Sequence, residues 1–166
     1  MTMSETRQGF YGKFRGTVTD NRDPLMLGRI RANVPAVLDC QETGWALPCA
    51  PYAGKGVGFF FVPPVGANVW LEFEEGNTDY PIWTGCFWGV GEAPKTPAVP
   101  DVKIIKTDFA TITLNDLPGS GGVTIETKDG LKIVMDVKGI ELSDGPSSVK
   151  LTPASVSING DALEVI

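Results

Sequence analysis

The residues of this 166-residue chain best placed to do chemistry are three carboxylates, Glu72, Glu74 and Glu75, grouped at the end of an alternating segment. On an extended strand Glu72 and Glu74 share a face about 7 Å apart, within the range of the paired carboxylates of glycoside hydrolysis. No neighbouring segment supplies a cleft or an activating partner, so the solvated outer face of a strand accounts for them better. Histidine is absent. Its absence removes the commonest general base and the commonest transition-metal ligand, and with them every Ser-His-Asp and Cys-His arrangement within the chain. Cys40, Cys49 and Cys86 make an odd count without metal-ligand spacing, and they read as buried reduced thiols. Gly54-Lys55-Gly56-Val57-Gly58 has the glycines of a phosphate loop, but neither a Gly-Lys-Ser/Thr step nor a helix follows. A sharp backbone turn is the better reading. The expectation is a protein that is not an enzyme, with no catalytic residue, no cofactor and no metal site.

The elements that would position these residues are almost all strands. Phe10 to Asp20 alternates around Phe14, Gly16 and Val18 as a long first strand. Asn21-Arg22-Asp23-Pro24 is a turn, because Asn and Asp tolerate turn geometry and Pro fixes its own φ. Leu27 to Val34 is a second strand with Arg29 and Arg31 on one face; they are expected to pair with Glu72 or Glu74, or with a partner. Residues 36–55 form a longer connection anchored by Trp45 and Leu47. Gly58 to Val62 reads as a third strand ended by Pro63-Pro64, Ala67 to Glu74 as a fourth, and Tyr80 to Trp88 as a fifth. Five strands with a proline-rich connection in the middle fit a small closed or partly open barrel of the OB type over residues 1–88. Helix signals are nearly absent.

Gly89 to Asp101 holds three prolines and two glycines and reads as a semi-rigid linker, 89–101. From residue 102 to 166 short alternating pieces recur: Val102–Lys106, Ala110–Leu114, Val123–Glu126, Lys132–Met135, Gly139–Leu142, Ser148–Leu151, Ser155–Ile158 and Ala162–Val165. Gly-containing turns such as Asp129-Gly130 and Asn159-Gly160 separate them. A near-constant step marks stacked β rungs. Each rung has one apolar and one polar face, and a single chain of rungs has nothing broad to cover the apolar one.

The aromatic set Phe59, Phe60, Phe61, Trp70, Trp83 and Trp88 could stack single-stranded bases on an OB face. The interleaved basic residues such a platform needs are missing, and the chain carries a net charge of −6 without a basic run. Barrel core and subunit interface are the better assignment. No run approaches the roughly 20 apolar residues of a membrane helix. Met1 to Gly9 is polar and holds no signal-peptide core.

The barrel segments carry an ordered set of motifs: Gly28-Arg29-Ile30-Arg31-Ala32-Asn33-Val34-Pro35, then Ala53-Gly54-Lys55-Gly56-Val57-Gly58, then Pro63-Pro64-Val65-Gly66-Ala67-Asn68-Val69-Trp70-Leu71-Glu72-Phe73-Glu74-Glu75-Gly76. In this order they resemble the OB domain of the central spike proteins of contractile injection systems, such as phage baseplate spikes and the spike part of VgrG-type proteins. The likeness covers residues 12–88 well. Residues 102–166 are similar to the family's needle in architecture more than in residues.

The resemblance implies an all-β homotrimer: an N-terminal OB-fold barrel followed by a C-terminal triple-stranded intertwined β-helix that forms the needle. It implies a structural spike of a phage tail, tailocin-like particle or secretion system, which pierces a target envelope on sheath contraction. The implied axis residues are Ile112, Ile125, Ile133, Ile140, Val149, Val156 and Leu163. A hub protein is implied at the barrel end. A PAAR-type tip protein is implied at the other, touching Leu163, Val165 and Ile166. Assembly in the bacterial cytoplasm and residence in a baseplate or particle follow, with no nucleic-acid partner. The family's lysozyme domain and its His-x-His iron tip have no counterpart in these residues. The alternative is an OB module for nucleic acid or glycan with a β-rich oligomerisation stalk.

Overall fold

A computed structural model describes residues 9–94, 99–160 and 162–165. The chain divides into two units, Met1–Val90 and Gly91–Ile166. Met1 to Gln8, where the N-terminal expectation mostly falls, Lys95 to Ala98 of the linker, and Ile166 lie outside the described residues.

In the first unit β1 (Phe14–Asp20), β2 (Arg31–Asn33), β3 (Leu47–Pro48), β6 (Asn68–Phe73) and β7 (Pro81–Cys86) form one five-stranded sheet in the order β2-β1-β6-β7-β3. β4 (Ala53–Gly54) and β5 (Val57–Gly58) make a separate hairpin. A single helical turn, α1 (Pro35–Leu38), follows β2. Alternation sets the core. Val69 and Leu71 of β6 point inward and meet Val18, Ile30, Ala32, Val34, Ala46 and Trp83, while the buried Phe73 of the same strand packs against Phe10 and Phe14. The register shifts between Val18 and Asp20 and between Trp70 and Leu71, and such irregularities bend a sheet. Paired hydrogen bonds between the backbones of Ile30 and Ala46, 3.2 and 2.8 Å, then tie the β2 end of the sheet to the segment entering β3. The result is the half-barrel expected of an OB fold.

The third expected strand, Gly58 to Val62, does not form. The hairpin takes Val57 and Gly58, and Phe59, Phe60 and Phe61 are all exposed. Alternation can direct only every second residue inward, so three consecutive phenylalanines cannot all enter one core. The fifth sheet member is instead the short β3, parallel to β7.

The second unit is one eight-stranded antiparallel meander: β8 (Val102–Lys106), β9 (Ala110–Asn115), β10 (Gly122–Thr127), β11 (Lys132–Asp136), β12 (Gly139–Ser143), β13 (Ser148–Leu151), β14 (Val156–Ile158) and β15 (Leu163–Val165). Each expected rung is a strand, and each pairs with its sequence neighbour. The ladder hydrogen bonds among the described residues run between sequence neighbours of one chain, an arrangement compatible with a β needle. Short turns make local pairing cheap in chain entropy. Among these strands none covers the sheet's apolar face.

Candidate functional site

The second unit presents that open face. Residues directly opposite in an antiparallel pair share a face. Ile105, Ile112, Ile125, Ile133, Leu142, Val149, Ile158 and Leu163 are joined pairwise into one row across all eight strands. Leu114, Val123, Met135, Ile140, Leu151, Val156 and Val165 form a second row beside it. Except for Ile112 and Val123, every one of these side chains is 37–61 % exposed. The opposite face carries Thr113, Thr124, Val134, Glu141, Lys150, Ser157 and Glu164 in register, polar except for Val134, with a 4.0 Å ion pair between Lys150 and Glu141. Eight strands about 4.8 Å apart make the apolar stripe about 34 Å long. A continuous stripe of this kind marks an association surface.

The axis residues expected from the sequence all lie on this face. Ile112, Ile125, Ile133, Val149 and Leu163 belong to the first row, and Ile140 and Val156 to the second. The sequence reading took one residue per rung. The structure supplies two, and the i, i+2 spacing of Ile133 and Met135, Ile140 and Leu142, or Val149 and Leu151 was the signal for the second. Leu163 and Val165 of the expected tip contact sit on the same face in the last strand. Lys103 enters the second row opposite Leu114 and pairs with Asp116, so the stripe begins at an ion pair.

In the first unit the candidate residues take different partners from those expected. Glu72 accepts from Lys13 Nζ at 2.6 Å. The strand stops at Phe73, and Glu74 and Glu75 turn away in a 3-10 turn where Glu75 has φ 50°, so the period-two pairing of Glu72 with Glu74 is lost. Arg29 pairs with Asp23 at 2.6 Å and Arg31 with Glu42, correcting the expected pairing with Glu72 or Glu74. Those glutamates lie across the sheet, whereas Asp23 and Glu42 flank the strand that carries the arginines. Both guanidinium groups also stack near the Trp45 ring, at 5.6 and 5.2 Å. The three cysteines are free but exposed, not buried, because all three fall where strands end or in connections. Burial of its surroundings still pushes the Cys86 thiol up.

Asp23 organises a loop that the sequence marked only as a turn. Its carboxylate is 3 % exposed and accepts from the backbone N–H groups of Leu25, Leu27 and Arg29 and from the Arg29 guanidinium. The Arg29 guanidinium and those amides hold the carboxyl far below the usual carboxylate range, outweighing the burial that would raise it. The loop so pinned displays Leu25, Met26 and Leu27 to solvent. Beside it Trp83 Nε1 donates to the Gly28 carbonyl at 3.1 Å, and Phe60 covers Gly28, whose φ of +75° and lack of a side chain permit the contact. The Gly54–Gly58 segment is the β4–β5 hairpin, turning at Lys55-Gly56 as expected for a sharp rim turn. Together these elements border an apolar groove of about 1090 Å³.

No helix among the described residues is long and apolar enough to cross a membrane. No curated protein matches the chain. Residues 14–88, from β1 through β7, match the family model of the type VI secretion system/phage-baseplate injector OB domain. Residues 102–164, the eight-stranded meander, match that of the phage baseplate V C-terminal trimerisation domain. A half-barrel of the injector OB type, joined in one chain to a sheet whose open apolar face fits a trimerisation domain, places this protein among the spike-type proteins of the phage baseplate V family.

Proposed function

We propose that this chain is a homotrimeric central spike that pierces a target envelope when a contractile sheath drives it forward, and that it does so without catalysing a reaction. One observation carries the reading: a chain that matches a trimerisation domain leaves two complete rows of apolar side chains uncovered along its eight-stranded sheet. Three copies turned face inward bury all six rows in one dry interior. At roughly 25 cal/mol per Å² such burial is a large driving force. Stiffness follows, because no rung can tilt without opening that interior. The first unit faces a hub protein, and a PAAR-type tip protein caps the last strand near Leu163 and Val165. Assembly takes place in the bacterial cytoplasm, before the particle acts.

The nucleic-acid alternative loses its basis in charge. Arg29, Arg31 and Lys13 are neutralised by Asp23, Glu42 and Glu72. Light scattering on purified protein tests the assembly: about three times the 17.7 kDa chain mass supports it, and a folded monomer at micromolar concentration overturns it. Piercing is tested with particles carrying a chain that ends at Pro94. Baseplates that contract but no longer breach the envelope support it, and undiminished breaching overturns it.

A further inference from the structure

Residues 9–11 belong to no strand, yet they are seated on the first unit where β1 begins and β6 stops. The Phe10 ring meets Phe14 edge-on with centroids 6.2 Å apart and Phe73 at 6.5 Å, and those two rings lie 5.8 Å from each other. The attachments on the two sides of Gly12 are unequal. On the sheet side Lys13 Nζ donates to Glu72 at 2.6 Å and to Thr84 Oγ1 at 3.1 Å, and Phe14 enters the ladder opposite Leu71. On the other side the Phe10 N–H donates to the Gly76 carbonyl at 2.8 Å, and among the described residues this is the one backbone hydrogen bond made by residues 9–11. Gly12 has φ +92° and open space where a side chain would stand, so the chain can turn there without meeting a neighbour. The seat itself is firm. The Glu74 N–H donates to the Tyr80 carbonyl at 3.0 Å and the Asn77 N–H to the Glu74 carbonyl at 2.9 Å, and Gly76 between them is buried. A Cβ on Gly76 would stand 2.9 Å from both the Gly9 Cα and the Phe10 nitrogen, so only a glycine admits the strap.

We propose that residues 9–11 are a latch that turns about Gly12 and leaves Gly76 while the sheet stays folded, uncovering the Phe14 and Phe73 rings. Local opening takes the path that breaks the fewest contacts. Here that path costs one backbone hydrogen bond and the Phe10 ring contacts, whereas freeing Phe14 breaks the ladder to β6 and the Lys13 bonds as well. The closed latch keeps the Phe14–Phe73 pair dry, and the open one presents it as an apolar contact point at the end of the sheet. Every contact invoked lies within the first unit, so the inference stands independently of the spike reading.

Hydrogen exchange of the full chain, resolved to the Phe10 amide, tests the latch. The expected protection factor at Phe10 is on the order of 10 to 100, and the Val69 and Leu71 amides in the middle of the sheet should be protected at least about a hundredfold more. Low urea should leave exchange at Phe10 nearly unchanged, because a small opening uncovers little surface, and should speed exchange at Val69 and Leu71. Gly76→Ala crowds the strap off its seat, and Phe10→Ala removes the ring while leaving the seat intact. Each should bring the protection factor at residue 10 to within about threefold of an unprotected amide, with Val69 and Leu71 unaltered. If Gly76→Ala also weakens the sheet, Phe10→Ala decides. A Phe10 amide that exchanges at the same rate and with the same urea dependence as Val69 and Leu71 opens only with the sheet and overturns the latch. So does a Phe10 amide without protection in the unaltered chain, or one whose protection survives Phe10→Ala.

Discussion

Ile133 lies directly opposite Ile125 on one side and Leu142 on the other, at the middle of the apolar row that crosses the second unit. Lys132, one residue earlier, sits on the other face opposite Glu126 and Ser143. Ile133→Asp would place three unpaired carboxylates in the shared interior, at several kcal/mol per ion. The expected outcome is loss of the trimer or insoluble protein. Lys132→Gln should leave the trimer intact, because the lysine needs only water. Light scattering and thermal unfolding of the two variants decide it; equal behaviour would mean that the apolar face is not the inner one.

Gly139 opens β12 with φ +140°, and its missing side chain is where the Leu151 carbonyl of β13 passes. A Cβ there meets backbone that cannot swing aside, and the conformation is strained for any L side chain as well. Gly139→Ala should destabilise the second unit by at least ~1–3 kcal/mol per chain. Calorimetry should show the trimer melting earlier, with the first unit's transition unchanged. An unaltered melt would rule out this close approach.

Thr43 is buried and ties the first unit's core to its connection. Its Oγ1 accepts from the Ala32 N–H at 3.1 Å, and its own N–H donates to the Ala32 carbonyl at 2.8 Å. Thr43→Val keeps the shape but leaves a buried donor unpaired, at about 1–3 kcal/mol. Urea unfolding should show a lower midpoint with an unchanged slope. A midpoint equal to wild type would mean that water reaches this amide.

The Asp23 carboxyl has a lower pKa folded than unfolded, held down first by Arg29 and then by the loop amides. Its stabilising contribution is therefore complete above roughly pH 4 and is lost as acid protonates it below that. Asp23→Asn should melt lower than wild type at pH 7, and the gap should narrow steadily as the pH falls below about 4. A gap independent of pH would show that the charge of Asp23 does not hold the loop.

A chain ending at Pro94 keeps every residue of the first unit's core. It should fold with a cooperative transition yet remain monomeric at micromolar concentration, since the match to a trimerisation domain lies in residues 102–164. A stable trimer from this fragment would place the main clamp in the first unit.

The period-two alternation of residues 102–165 was enough to locate all eight strands within a residue or two, because each side chain's face follows from its parity alone. The same rule placed Val69, Leu71 and Phe73 in the core and the aliphatic rung residues on one face. Motif order sufficed for the OB assignment, since the spacing of its turns and prolines is a local property of the chain. Three things needed the tertiary structure. Which distant segments pair is a question of long-range register, so the pairing of β3 with β7 in place of the expected strand Gly58 to Val62 was not legible. Ion-pair partners depend on which segments end up adjacent: Arg29 reaches Asp23 and Arg31 reaches Glu42 because the loop at 21–28 and the connection after α1 flank β2. Last, a run of three phenylalanines announces apolar surface, but only packing decides whether it is spent inside. Here the core was already filled from β1, β2, β6 and β7, so the run was left at the rim of a groove.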